Sequence, residues 1–257
     1  MKIYIVLLAF LVGTAESSAS NPEIQFGFAD KMSSKILSDP KISEPAKYKK
    51  AVCDGDAYSI SFQKLQKRNP DKDSGRQTYY NFDNMEGTVY VINGKGKQDM
   101  GTCVLFADTE NISPVKFINK YVECSQTTRE KLKSVHGDWV PKKCIAKHED
   151  KSNSEIGLIE YQQKNDKGLG RFFVIFNNQV YTVDHPGNPC WRAEGECAFV
   201  TSDTELKLDV QFIVPQKSGL QIFLTWPGGE GEWSAYYETK SNKLNEVKNY
   251  YRYWLPN

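Results

Sequence analysis

Apolar and polar residues alternate at every second position over long stretches of this chain. From Leu206 to Val214 the sequence sets Leu206, Leu208, Val210, Phe212 and Val214 on one face and Lys207, Asp209 and Gln211 on the other, the pattern of a strand with one wet side. Tyr58, Ile60 and Phe62 stand opposite Ser59 and Ser61 in the same way. Leu220, Ile222, Leu224 and Trp226 stand opposite Gln221 and Thr225. Short β-branched and aromatic runs at Thr88–Ile92, Thr102–Ala107, Val115–Val122, Ile156–Gln162, Phe172–Phe176, Gln179–Val183 and Trp233–Tyr237 bring the expected strands to about ten. Asn93-Gly94 and, less readily, Asn177-Asn178 can adopt the positive φ of a two-residue hairpin turn, and Pro227-Gly228-Gly229 predicts the turn of a further hairpin.

Helical signals are short. Ser43 can cap a segment running to Val52 with Pro45 in its first turn. Thr127 and Glu130 can form a capping box ahead of Leu132. Leu244, Val247 and Tyr251 make one stripe if residues 242–251 are helical. The predicted class is therefore mainly β: an antiparallel β-barrel or β-sandwich with a few short helices. A faint internal duplication aligns Tyr90-Val91-Ile92-Asn93 with Val174-Ile175-Phe176-Asn177, inside the similar intervals Cys53 to Cys103 and Cys144 to Cys190. It allows two subdomains, 16–130 and 131–257, against a single β-rich region 16–257.

The ends and the cysteines suggest a compartment. Lys2, an uncharged apolar run from Ile3 to Val12, and the small residues Gly13, Thr14 and Ala15 have the three parts of a secretory signal, giving a signal peptide over 1–15 with Ala19 as a second cleavage point. A spanning helix needs about 20 apolar residues, and the remaining sequence offers no such run. The expected location is extracellular. In an oxidising compartment the six cysteines, Cys53, Cys103, Cys124, Cys144, Cys190 and Cys197, are expected to close as three disulfides. Only Cys190 with Cys197 is suggested by spacing. Asn111-Ile112-Ser113 is a glycosylation sequon, making Asn111 the expected attachment site. With 33 Lys+Arg against 32 Asp+Glu there is no strong field for phosphate backbones, which disfavours nucleic acid as a partner.

Candidate chemistry is thin. The three histidines, His136, His148 and His185, accompany no Gly-x-Ser-x-Gly elbow, and each cysteine is better read as bridged, so triad catalysis is not expected. Asp54/Asp56 and Asp71/Asp73 lack the later ligands of a calcium loop. No cofactor, metal site or catalytic residue is assigned. His136-Gly137-Asp138-Trp139-Val140-Pro141 loosely resembles the His-Gly-Leu-Trp-Pro stretch of the ribonuclease T2 family. That resemblance would imply RNA cleavage with His136 as general acid or base, but its second histidine motif has no counterpart beyond His185-Pro186-Gly187. Gly137-Asp138-Trp139 and Gly231-Glu232-Trp233 resemble the Gly-x-Trp that opens the first strand of lipocalins, which would imply an eight-stranded barrel around a small apolar ligand. The C-terminal third is rich in rings, and Trp226, Trp233, Tyr236 and Tyr237 are the candidate ligand-binding residues. Strand alternation places Trp233 and Tyr237 on one face and Tyr236 on the other, so part of this cluster must be core. The expected function is non-catalytic binding, either of a small apolar ligand in a lipocalin-like barrel or of an extracellular glycan or protein through an exposed aromatic face. A secreted ribonuclease is the minor alternative.

Overall fold

The computed structural model describes residues 23–97, 100–107, 112–115, 120–149, 154–162, 169–186, 209–216, 219–227, 230–240 and 243–254. The signal segment, Asn111, Cys190, Cys197, Leu206 and Leu208 lie outside the described residues.

The chain is mainly β, as its alternation predicts. Six strands, β1 (Ile24–Ala29), β2 (Lys35–Ser38), β3 (Lys50–Cys53), β4 (Asp56–Gln66), β5 (Gly87–Ile92) and β6 (Thr102–Phe106), form a closed antiparallel barrel in the order β1-β2-β5-β4-β3-β6. Nine more follow: β7 (Val122–Glu123), β8 (Pro141–Glu149), β9 (Ser154–Tyr161), β10 (Leu169–Phe176), β11 (Gln179–Pro186), β12 (Asp209–Gln216), β13 (Gly219–Pro227), β14 (Gly231–Lys240) and β15 (Lys243–Tyr253). They make one sheet in the order β12-β13-β14-β15-β11-β10-β9-β8-β7. Its pairings are antiparallel except for a single parallel match, Thr182 with Lys243, between β11 and β15.

The barrel has six strands rather than the eight that a lipocalin resemblance implies. Its interior is packed with side chains. Ala29, Ile36, Ala51, Cys53, Ile60, Tyr90, Ile92, Cys103 and Leu105, drawn from all six strands, form one buried cluster together with Tyr48. The outer surface is covered too. Phe28, Leu37 and Val89 pack under Phe82 and Met85. Ile24, Phe26, Val52, Val104 and Phe106 meet Phe212, Val214, Phe223 and Tyr236 of the second sheet. Strands buried on both faces lose the alternation that marks a half-wet strand, and β6 is buried at all five positions.

The second sheet folds upon itself. Ile156, Leu158, Phe172 and Val174 from β9 and β10 share a core with Leu220, Ile222, Leu224, Ala235 and Tyr237 from β13 and β14. Across β8–β10 the other face holds Ile159, Tyr161, Phe173 and Ile175 against Leu132 of the helix α1 (Gln126–Leu132). A Cβ on Gly157 would stand 2.1 Å from the Ile145 carbonyl oxygen and 2.6 Å from the Phe173 ring, so only glycine fits there.

Two disulfides tie these regions internally. Cys53 and Cys103 are register partners on β3 and β6, with Cα atoms 4.3 Å apart, inside the barrel. Cys124 pairs with Cys144 across 20 residues. Cys53 with Cys103 closes the first of the two cysteine intervals, while Cys144, the start of the second, pairs backward with Cys124.

Several local expectations are corrected. Residues 43–52 do not form a helix; only Pro45–Lys47 makes a 3-10 turn. Ala51 and Val52 pair on both sides with β4 and β6 and are fully buried, so tertiary pairing overrides the N-terminal helix signals. Residues 243–253 are strand β15, not helix. The register shift between Tyr236 and Tyr237 leaves Val247 as the extra residue of a β-bulge, and this insertion spaces Leu244, Val247 and Tyr251 by the three and four positions that mimic a helical stripe. The cap of α1 is Ser125, whose side-chain oxygen accepts from the Thr128 N–H at 3.1 Å; it is not Thr127. Asn177 and Asn178 do take positive φ, 50° and 61°, joining β10 to β11. Asn93-Gly94 follows β5 without closing a hairpin, since β5 pairs with β2 and β4. Asp54-Gly55, with φ of 47° and 74°, closes β3 onto β4 instead.

Candidate ligand-binding surface

Register brings three rings into line across the C-terminal strands. Trp226 on β13 faces Trp233 on β14, which faces Tyr251 on β15. The two indoles lie near-parallel, 14° apart with centroids 6.4 Å apart; the Tyr251 ring is 4.7 Å from Trp233 at 48°. Trp226 rests against the inner core of the second sheet, on the side away from the barrel. Trp233 is 39% exposed, while Trp226 and Tyr251 are half-buried. The result is a partly open aromatic strip at one end of the sheet.

Local chemistry fixes the strip. A Cβ on Gly231 would lie 2.1 Å from the Arg252 carbonyl oxygen and 3.1 Å from the Tyr251 ring, so the glycine of Gly231-Glu232-Trp233 lets Tyr251 reach across the strand. The Tyr251 hydroxyl accepts from the Glu230 N–H at 3.2 Å. One residue on, Glu232 and Arg252 form the next register pair and by alternation occupy the opposite face. Glu232 accepts from the Thr102 hydroxyl of the barrel at 2.8 Å, and the Arg252 guanidinium sits 5.9 Å from the centre of the Trp254 ring. The motif thus opens β14 rather than a barrel strand. The other Gly-x-Trp triplet, Gly137 to Trp139, lies in the turn before β8, with Gly137 at φ 56°.

The four candidate binding residues divide. Trp226 and Trp233 stand together on the strip. Tyr236 has no exposed surface: it lies between barrel and sheet, edge-on to Phe106 at 6.1 Å, and burial pushes its phenol pKa up. Tyr237, 6% exposed, belongs to the inner core and donates to Glu246 at 3.3 Å; burial also raises its pKa. Strand alternation sets these two neighbouring rings on opposite faces of β14. Tyr251 was not among the candidates. Its signal was hidden, because it becomes a neighbour of Trp233 only once β15 is a strand.

His136 sits in a second polar cluster. Its Nδ1 is 3.1 Å from the Tyr161 hydroxyl, and Arg171 lies over the Tyr161 ring while forming a two-pronged ion pair with Asp184. Burial, then the Arg171 charge, holds the His136 pKa below its ordinary value, so the imidazole is neutral at neutral pH. His185 lies on β11 opposite Gly170; its side chain is outside the described residues. Asp73 serves its own loop, accepting from Asn81, Gly75 and Arg68, and Asp54 shapes the β3–β4 turn. Among the described residues no three His, Cys, Asp or Glu side chains group as a metal site, and no helix is long and apolar enough to cross a membrane.

Compared with known proteins, the chain matches no family model, no curated protein and no solved structure.

Proposed function

We propose that this chain is a secreted, non-catalytic binding protein that takes an extracellular glycan on the aromatic strip of Trp226, Trp233 and Tyr251. One observation carries the reading: three aligned rings at the end of an otherwise well-buried sheet, with Trp233 39% exposed. A large indole left open costs solvation that burial elsewhere in the sheet avoids. Flat amphipathic rings offer an apolar face to the C–H side of a pyranose while hydroxyls at the edge stay wet. The packed barrel interior supports a surface site over a luminal one. Export is supported by the two disulfides and by the signal pattern of residues 1–15; intact mass of protein from its source should lack those residues.

A glycan array probed with the wild type and with Trp233→Ala tests the site. At least one saccharide class should be retained, and Trp233→Ala should weaken that binding about tenfold or more, the scale of a lost stacking contact, with an unchanged unfolding midpoint. A variant that binds like the wild type, or an array that stays dark throughout, overturns the proposal.

A further inference from the structure

A cavity of about 230 Å³ lies where the outside of the barrel meets β15. Its walls are mixed: Phe26, Phe28 and Leu37 of the barrel, Met85, and the Tyr250 ring, which stacks on Phe26 at 5.4 Å and 12°, form the apolar part beside a polar rim. One cation enters it. Lys248 is half-buried, and its Nζ donates to the Ile24 carbonyl at 3.1 Å and to Gln25 Oε1 at 2.5 Å.

From this arrangement we propose a second ligand site, for a small organic acid with an apolar body, its carboxylate on Lys248 and its chain between Phe26, Leu37 and Met85. An ammonium has three N–H donors, and the two bonds seen go to neutral acceptors. A partly desolvated charge whose hydrogen bonds among the described residues go to neutral acceptors gains from an anion. Burial indeed holds Lys248 below its ordinary pKa, with the Asp39 and Glu23 carboxylates opposing that shift. Asp39 and Glu86 also border the cavity but are exposed to solvent, where a charge acts weakly. They favour the orientation that keeps the acid group inside and the chain toward the rim. Size sets the class: at roughly 30 Å³ for each water displaced, the space equals about eight waters, suiting an acid of six to nine heavy atoms.

Hexanoate, hexan-1-ol and hexylamine share one body and differ in charge, so titrating the full chain with each, while following the Met85 and Leu37 methyl resonances, reads the site without any mutation. Hexanoate should shift both methyls and bind about tenfold tighter than hexanol, the difference expected of one charge-assisted hydrogen bond. Equal affinity for acid and alcohol, tighter binding of the amine, or shifts confined to other methyls would overturn the assignment. Lys248→Met should abolish the preference for acid. Because that change also removes two ties to the barrel, Met85→Trp provides a second variant that narrows the cavity and should block hexanoate with Lys248 intact. Trp233→Ala should leave hexanoate binding unchanged, which separates failure of this site from failure of the aromatic strip.

Discussion

The barrel closes β1 onto β6, so each of its strands has two neighbours, whereas the nine-stranded sheet ends at β7 and β12. Closure removes exposed edges, and with its inside filled the barrel offers little beyond its outer wall. The open sheet protects its ends by other means. β7 is only two residues long, and the β12 edge is bridged by Val115, which exchanges two backbone hydrogen bonds with Ile213. Strands that run past the shared core leave rings at their ends, and there the strip of Trp226, Trp233 and Tyr251 stays partly wet. On the proposed reading the closed, filled barrel serves as scaffold for the aromatic strip, which the open sheet carries.

This contrast can be broken first at the seam. Phe223, fully buried between barrel and sheet, should cost about 3–5 kcal/mol as alanine, read from urea midpoints. If barrel and sheet then unfold in two steps, the seam is what makes them cooperative. Next come the covalent ties. Replacing Cys53 and Cys103 by alanine should cost about 4 kcal/mol for their 50-residue separation, and replacing Cys124 and Cys144 about 3 kcal/mol for 20. Equal midpoints for the two pairs would contradict that ordering.

A finer comparison uses two tyrosines of the second sheet, Tyr236 on β14 and Tyr250 on β15, that both face the barrel. Tyr250 accepts from Gln77 at 2.8 Å, so Tyr250→Phe should cost about 1 kcal/mol. The Tyr236 hydroxyl is buried and has no hydrogen-bond partner among the described residues, and Tyr236→Phe should be neutral or stabilising. The smallest effect concerns pH. His136 has a depressed folded pKa, so its contribution is complete above the unfolded value near 6.5. It is lost as pH falls through the lower folded value, because the unfolded chain takes the proton first. His136→Gln should flatten that slope.

Legibility followed the same division. Strands with a wet face or a marked turn, such as β10–β11 around Asn177-Asn178 and β13–β14 around Pro227, could be read from spacing. Within the barrel, β1 carries Gly27, where a Cβ would stand 2.7 Å from both Ile36 Cγ2 and the Leu37 carbonyl oxygen, and burial of both strand faces hides the period. On β4 a register shift after Phe62 reverses the alternation: Leu65 ends 61% exposed while Gln66 is buried, donating to the Phe82 and Met85 carbonyls. Of the candidate site, Trp226 and Trp233 were visible as amphipathic rings on neighbouring strands. Tyr251 was not, because a single bulge residue disguised its strand as a helix; alternation set Tyr236 and Tyr237 on opposite faces, but did not show that both faces of β14 are covered there.

The most direct test follows the indole Nε1–H and isoleucine methyl resonances together as a retained saccharide is added. Binding on the open sheet predicts shifts at Trp226 and Trp233 with Ile36, Ile60 and Ile92 inside the barrel unmoved. Shifts at those three isoleucines with silent indoles would contradict it and return the ligand to the barrel.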